Sequence, residues 1–307
     1  MLRRLSQSPK VARFLTNRVA VAATAVLLLL VVVAAIAPML APQDPNHQDL
    51  ANPLRSPSGD HLLGTDALGR DTLSRLIMAT RVSMVAAALA TGVAILGGVP
   101  AGLLAGYLGG WIDAVLGRIT DALLTMPPLI LAMAIIGVLG PGLTNAMFAV
   151  GVVFAPRFFR VARGAGQSVR SETYILACRA MGCSTGRILW RHVMPNTSGP
   201  LLVQTSFTAG LAITAEASLS FLGLGLRPPA ASWGSMTQQA FTTLTTNSFP
   251  IFPPVAMVIV AILAFSVIGD AWRDVLGQGA IGPRRGPRWR LVRRVDPTVA
   301  VPPVEGQ

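Results

Sequence analysis

Six apolar runs, at about 19–40, 83–108, 116–139, 144–161, 200–222 and 253–272, alternate with polar stretches along the chain. About 20 apolar residues are enough to cross a hydrocarbon core of about 30 Å as a helix. In lipid every backbone polar group must pair internally, which leaves helices or closed barrels, and these runs are too long for barrel strands. The pattern predicts an all-α polytopic membrane protein with six transmembrane helices. Pro127 and Pro128 predict a kink near the start of the third span.

One polar stretch stands out between the fourth and fifth runs. Residues 171–196 carry Arg179, Arg187 and Arg191 and are interrupted by Gly182. An arginine at the centre of a membrane helix costs about 2.5–3.5 kcal/mol, so the stretch stays outside the bilayer. Its pattern predicts two short helices, about 172–181 and 185–193, broken at Gly182. Arg187 and Arg191 share one face, Ile188, Leu189 and Val193 form an apolar stripe, and Pro195 is expected to stop the second helix. The segment reads either as a solvated connector or as a docking element, with Tyr174, Ile175 and Ala177 on the outward side.

Composition agrees with the membrane assignment. Of 307 residues 52% are hydrophobic and 12% are charged, against roughly a quarter charged in a soluble domain. The net charge of +12 could suggest nucleic acid, but its placement points to lipid, and no nucleic-acid partner is expected. Arginines cluster before residue 19, between 157 and 195, and after 272, while the 41–82 loop balances four arginines with five aspartates. That asymmetry places the three basic blocks, and both termini, on the cytoplasmic face. The first run is too long for a signal-peptide core and is read as an uncleaved anchor.

The expected organisation is a basic cytoplasmic tail (1–18), an anchor (19–40), an extracytoplasmic loop (41–82), a five-helix core (83–275) and a disordered basic tail (276–307). The last is placed near anionic headgroups. Within the 41–82 loop, the run from Leu63 to Asp71 is expected to be held by Asp–Arg pairs or to meet a partner on the outer face.

Catalytic chemistry is missing from the sequence. No phosphate-binding Gly-x-x-x-x-Gly-Lys loop occurs, Lys10 is the single lysine, and no metalloprotease or serine-hydrolase motif is present. Cys178 and Cys183 match neither a zinc site nor a redox C-x-x-C pair, and read as small reduced residues with no metal role. Glu216 lies inside the fifth run, where an ionisable residue marks a polar pathway, an inter-subunit contact or a hydrogen bond capping a neighbouring helix. Asp113, Arg118 and Asp121 lie near the cytoplasmic end of the third run, where Arg118 could pair with either aspartate.

The motifs resemble a known family. Gly182 followed by Pro195, with the runs YILACRAMG from Tyr174 and RILWRHVMPN from Arg187, is similar to the EAA loop of ABC-importer permeases. HLLGTDALGRD from His61, GGWID from Gly109, EASLSFLGLG from Glu216 and the pairs Pro228–Pro229 and Gly269–Asp270 extend the likeness over about 20–277. The branch is that of the dipeptide, oligopeptide and nickel permeases, nearest to their second subunit.

The resemblance implies a MetI-like bundle with a cytoplasmic coupling loop at 163–195 that contacts an ATPase through Tyr174, Ala177, Arg179, Gly182, Arg187, Arg191 and Pro195. Glu216, Arg118 and Asp121 are then candidates for the pathway or the inter-subunit face. It further implies a homologous permease partner, two ATPase subunits holding the ATP and magnesium, an extracytoplasmic binding protein, a bacterial plasma-membrane location and no cofactor on this chain. Leu176 stands where the motif's glutamate often sits, Cys178 replaces an alanine and Met194 a leucine. An ion-gradient-driven secondary transporter is the alternative, and dipeptides, oligopeptides, nickel chelates and glutathione all remain open as cargo.

Overall fold

The structure, a computed structural model, describes residues 9–277. The basic tail expected at 276–307 lies almost wholly outside the described residues, as do residues 1–8 of the tail at 1–18.

Among the described residues eleven α-helices follow one another: α1 (Pro9–Thr16), α2 (Arg18–Leu40), α3 (Thr72–Leu108), α4 (Gly110–Thr125), α5 (Pro128–Leu139), α6 (Leu143–Arg170), α7 (Thr173–Ala180), α8 (Thr185–Ile188), α9 (Met194–Phe221), α10 (Trp233–Thr242) and α11 (Phe252–Gly277). Among the described residues the only β pairing is one isolated bridge between Thr65 and Asp71. Helices α2, α3, α6 and α11 are long and apolar enough to cross a membrane, and the bent pair α4–α5 can supply a fifth span. Helix α9 has 28 residues but is too polar for the same test, because it carries Gln204, Glu216 and a series of threonines and serines. Counting α9 gives six segments, compatible with the six expected.

Two spans differ from the hydropathy pattern. The second begins at Thr72 rather than 83, so α3 has 37 residues and a length of about 55 Å at 1.5 Å per residue. Asp71 caps it, accepting from the Ser74 amide at 2.8 Å, and the residues read as outer loop up to 82 are therefore partly helix. The third span breaks outright, with α4 and α5 at 101°. Met126 and Pro127 are both extended, with ψ of 138° and 127°, because each precedes a proline whose ring excludes the helical conformation.

The core sits between α3 and α6. Gly98, Gly102 and Gly106 recur every four residues on α3, and a Cβ at any of them would collide with the Ala155, Phe159 or Arg163 carbonyl of α6. Small residues at this spacing let two membrane helices approach backbone to backbone, where dispersion and not hydrophobic burial drives association. Helix α9 packs on α3, α6 and α11, and α2 lies against α3 and α11. Phe14 stacks on Trp272 with ring centroids 4.9 Å apart, fastening the N-terminal helices to the last span.

Candidate functional site

The polar stretch folds as a helix–turn–helix at one end of the bundle. Helix α7 ends in a Schellman motif: the Cys183 amide donates to the Cys178 carbonyl at 3.0 Å and the Gly182 amide to the Arg179 carbonyl at 2.9 Å. Gly182 has φ +75°, and a Cβ there would meet nothing within 4 Å. The turn therefore requires glycine for its left-handed backbone and not for space.

After the turn, α8 passes through one π-helical turn, Leu189–Val193, into α9 without interruption. Pro195 does not stop the helix as the sequence suggested. The Met194 amide pairs five residues back with the Leu189 carbonyl, and this widened turn precedes a proline that has no amide to contribute.

The two faces of the segment are distinct. Ile188, Leu189 and Val193 are buried, as their stripe predicted, and so is Ile175, at 0% exposure. The outward reading of Ile175 is thus corrected: it faces the core. Tyr174, Leu176, Met181 and Trp190 are exposed, at 42%, 51%, 73% and 66%, together with Ala177, Arg187 and Arg191.

Side chains tie the segment to the bundle. Arg179 Nε donates to the Tyr107 hydroxyl at 2.9 Å, and its guanidinium lies 4.6 Å from that ring's centroid. Asn196 Nδ2 donates to the Tyr174 hydroxyl at 3.1 Å, linking α7 to the foot of α9. The thiol of Cys178 is 3.9 Å from His192 Nε2, and burial, followed by the neighbouring Cys183, pushes its pKa above the ordinary thiol value. Among the described residues no group of three metal-ligating side chains exists.

The aspartates near Arg118 are paired, but with other arginines. Asp113 is held by Arg163 in a two-pronged pair, with Nη2 to Oδ2 at 2.8 Å, and Asp121 by Arg160 at 3.0 Å. Arg118 is exposed and pairs with neither. Both partners come from α6, so the pairs lock α4 across the C-terminal third of α6. In the sequence Arg160 and Arg163 registered only as members of a basic block, and Tyr107 carried no signal at all.

Glu216 is 1% exposed and does not face an open pathway. It accepts from Ser220 Oγ at 2.7 Å and from Ser83 Oγ at 3.4 Å, with Ser232 beside it. Ser83 Oγ in turn accepts from the Trp233 amide at 3.1 Å, so the carboxylate anchors the first turn of α10 through α3. Near the C-terminal end of α10, Gln239 Oε1 accepts from Arg70 at 3.2 Å and Arg75 at 3.3 Å, while Asp66 pairs with both arginines. The open face of α9 carries Thr214 and Ser218, whose hydroxyls donate to their own helix's carbonyls. Both residues border two cavities, of about 180 and 420 Å³, one toward Pro128 and Phe154 and the other toward Val258.

Comparison with known proteins supplies the family. Residues 98–281 match the binding-protein-dependent transport system inner membrane component, and 11–57 match the N-terminal transmembrane domain of oligopeptide transport permease C. The glutathione transport system permease protein GsiD of Pectobacterium atrosepticum is 40% identical over 86% of this chain and 88% of its own length. The dipeptide permease DppC of Alkalihalophilus pseudofirmus is 35% identical over 85% and 86%, and the oligopeptide permease OppC of Bacillus subtilis 34% over 86% and 87%.

A solved inward-facing structure of the MetNI methionine ABC transporter shares the fold, with TM-score 0.53 and 19% identity over 65% of this chain and 95% of the matched one. The ion-gradient alternative is set aside by these relationships. The chain belongs to the family of inner-membrane components of binding-protein-dependent transport systems, as an ABC-importer permease subunit.

Proposed function

We propose that this permease forms half of a translocation pathway for di- or oligopeptides or a similar small solute, and that α7 and α8 transmit ATPase motion to it. One observation carries the reading: α7, α8 and α9 form a continuous unit whose outward face is exposed while its inward face is buried and pinned by Arg179 to Tyr107. A partner that moved this unit would move α9, which is joined to it without a break. The bundle would then shift between two states with energy supplied elsewhere.

The exposed set of Tyr174, Ala177, Leu176, Met181 and Trp190, bordered by Arg187 and Arg191, suits a groove with an apolar floor and an acidic rim. Leu176 replaces a charge contact there with an apolar one. The stripe of Thr214 and Ser218 between two cavities supports α9 as the wall facing a homologous permease and the pathway.

The remaining assembly follows from the family's logic. ATP and magnesium reside on two separate ATPase subunits, an extracytoplasmic binding protein delivers the solute to the face formed by residues 41–71 and α10, and both termini are cytoplasmic in the bacterial inner membrane. The relatives transport dipeptides, oligopeptides or glutathione by name.

The test is reconstitution of the chain with its co-purifying partners in vesicles. Uptake of a labelled peptide should require ATP and the binding protein together, and should persist when ion gradients are collapsed. Uptake driven by a gradient without ATP would overturn the reading.

A further inference from the structure

The chain has two cysteines in 307 residues, and the fold sets them side by side. Cys178 is the residue three places before the cap of α7, and Cys183 follows the left-handed Gly182. These are the two positions whose side chains a Schellman motif brings into contact. The motif usually fills them with an apolar pair; here both are thiols, free and partly exposed.

Two further features bear on their chemistry. Cys183 lines a cavity of about 330 Å³ with Tyr107, Leu108, Arg170, Arg179 and Thr185, so small polar reagents can reach it beneath the outward face of α7. His192 Nε2 lies 3.9 Å from Cys178 Sγ, close enough to take its proton.

From this arrangement we infer that Cys178 and Cys183 are a modification site, an oxidisable dithiol that closes to an intramolecular disulfide across the Gly182 turn. With hydrogen peroxide as oxidant, the Cys183 sulfur attacks one peroxide oxygen, the O–O bond breaks, and the proton given up by the thiol goes to the leaving hydroxide, so that water departs and a sulfenic acid remains on Cys183. Cys178 then attacks that sulfur, its proton passes to His192 and on to the leaving hydroxyl, and a second water departs. Two thiols lose two electrons and two protons, and one peroxide becomes two waters. The product staples the C-cap of α7 covalently, and a small thiol reopens it by exchange.

Both cysteines are partly buried and packed against the apolar core, unlike the exposed residues Tyr174, Leu176, Met181 and Trp190. Metal binding by the pair with His192 is not supported, since no three-ligand group exists among the described residues.

Trypsin separates the two cysteines, cutting after Arg170, Arg179 and Arg187. Membranes holding the full chain are treated with hydrogen peroxide, blocked with N-ethylmaleimide and digested. The expected result is peptide 171–179 joined to 180–187, split by dithiothreitol and absent in Cys183→Ser. Gly182→Ala, which disfavours the left-handed turn, should lower the yield of the linked pair at a fixed time about fivefold. Recovery of two separately alkylated peptides, or of sulfinic and sulfonic acids alone, would overturn the site. An unchanged yield in Gly182→Ala would overturn its origin in the turn.

Discussion

Arg179 is held by Tyr107 twice over, by a 2.9 Å hydrogen bond to the hydroxyl and by the ring face 4.6 Å from its guanidinium. Tyr107 is 3% exposed near the end of α3, so the longest helix of the described residues reaches the 173–188 segment through this side chain. Tyr107→Phe removes only the hydrogen bond, worth about 1.5 kcal/mol to a charged donor, whereas Arg179→Ala removes both interactions. Amide hydrogen exchange across 173–181 should quicken about tenfold in Tyr107→Phe and further in Arg179→Ala. Equal exchange in the wild type and both variants would show that the anchor contributes nothing.

The turn at Gly182 makes a ranked prediction. A non-glycine residue at φ +75° costs about 1–2 kcal/mol, more when β-branched and less for asparagine, which tolerates the left-handed region. ATP-dependent uptake should therefore fall in the order Asn, Ala, Val at this position, while the chain still inserts and ATP hydrolysis continues. The Cβ meets no neighbour, so the order depends on backbone conformation and not on size. A larger loss for Asn than for Val would contradict this account.

How far the sequence carried can be read from these elements. The apolar runs were legible because a membrane helix declares itself by length, and the Gly182 break because left-handed caps favour glycine. The early start of α3 was not: Arg75 looks like a loop charge, yet it is 1% exposed because Asp66 and Gln239 neutralise and bond it. Helix α9 was visible as a span only as far as its apolar residues, since hydroxyls that bond their own carbonyls still count as polar in hydropathy. The 101° break was legible in kind, from two prolines, but its size depends on two consecutive extended residues. Pairings such as Asp113 with Arg163 join residues 50 apart, and no local pattern announces which of several arginines an aspartate will choose.

The glycine ladder offers a stability test with an internal control. Gly102 faces the Phe159 carbonyl, the Ala162 side chain and the Phe159 Cα, none of which is the free end of a flexible side chain. Gly102→Ala must push α3 and α6 apart, and overpacking of this kind costs about 1–3 kcal/mol. Gly117, on α4, has open space at its Cβ, and Gly117→Ala should be neutral or stabilise by up to about 1 kcal/mol through helix propensity. Thermal unfolding in detergent should separate the two variants by several degrees, and similar midpoints would show that the helices are not in backbone contact at Gly102.

The partners of Glu216 distinguish a buried anchor from a pathway charge. Its carboxylate takes hydrogen bonds from Ser220 and Ser83, and Ser83 takes one from the Trp233 amide. Glu216→Ala leaves two buried hydroxyls without their acceptor, at about 1–3 kcal/mol for each group left unpaired. Ser83→Ala leaves the first amide of α10 unpaired and frees that helix from α3. Both variants should lower the thermal midpoint and raise proteolytic cleavage in 223–249, the segment that contains α10, while Thr214→Ala, on the open face of α9, should do neither. Peptide uptake separates the roles: a pathway charge would change the apparent substrate affinity in Glu216→Gln with the midpoint unmoved. An anchor would lower transport in Glu216→Ala only as far as the folded fraction falls, and Glu216→Gln, which keeps the size and one acceptor oxygen, should lie between wild type and Ala on every measurement.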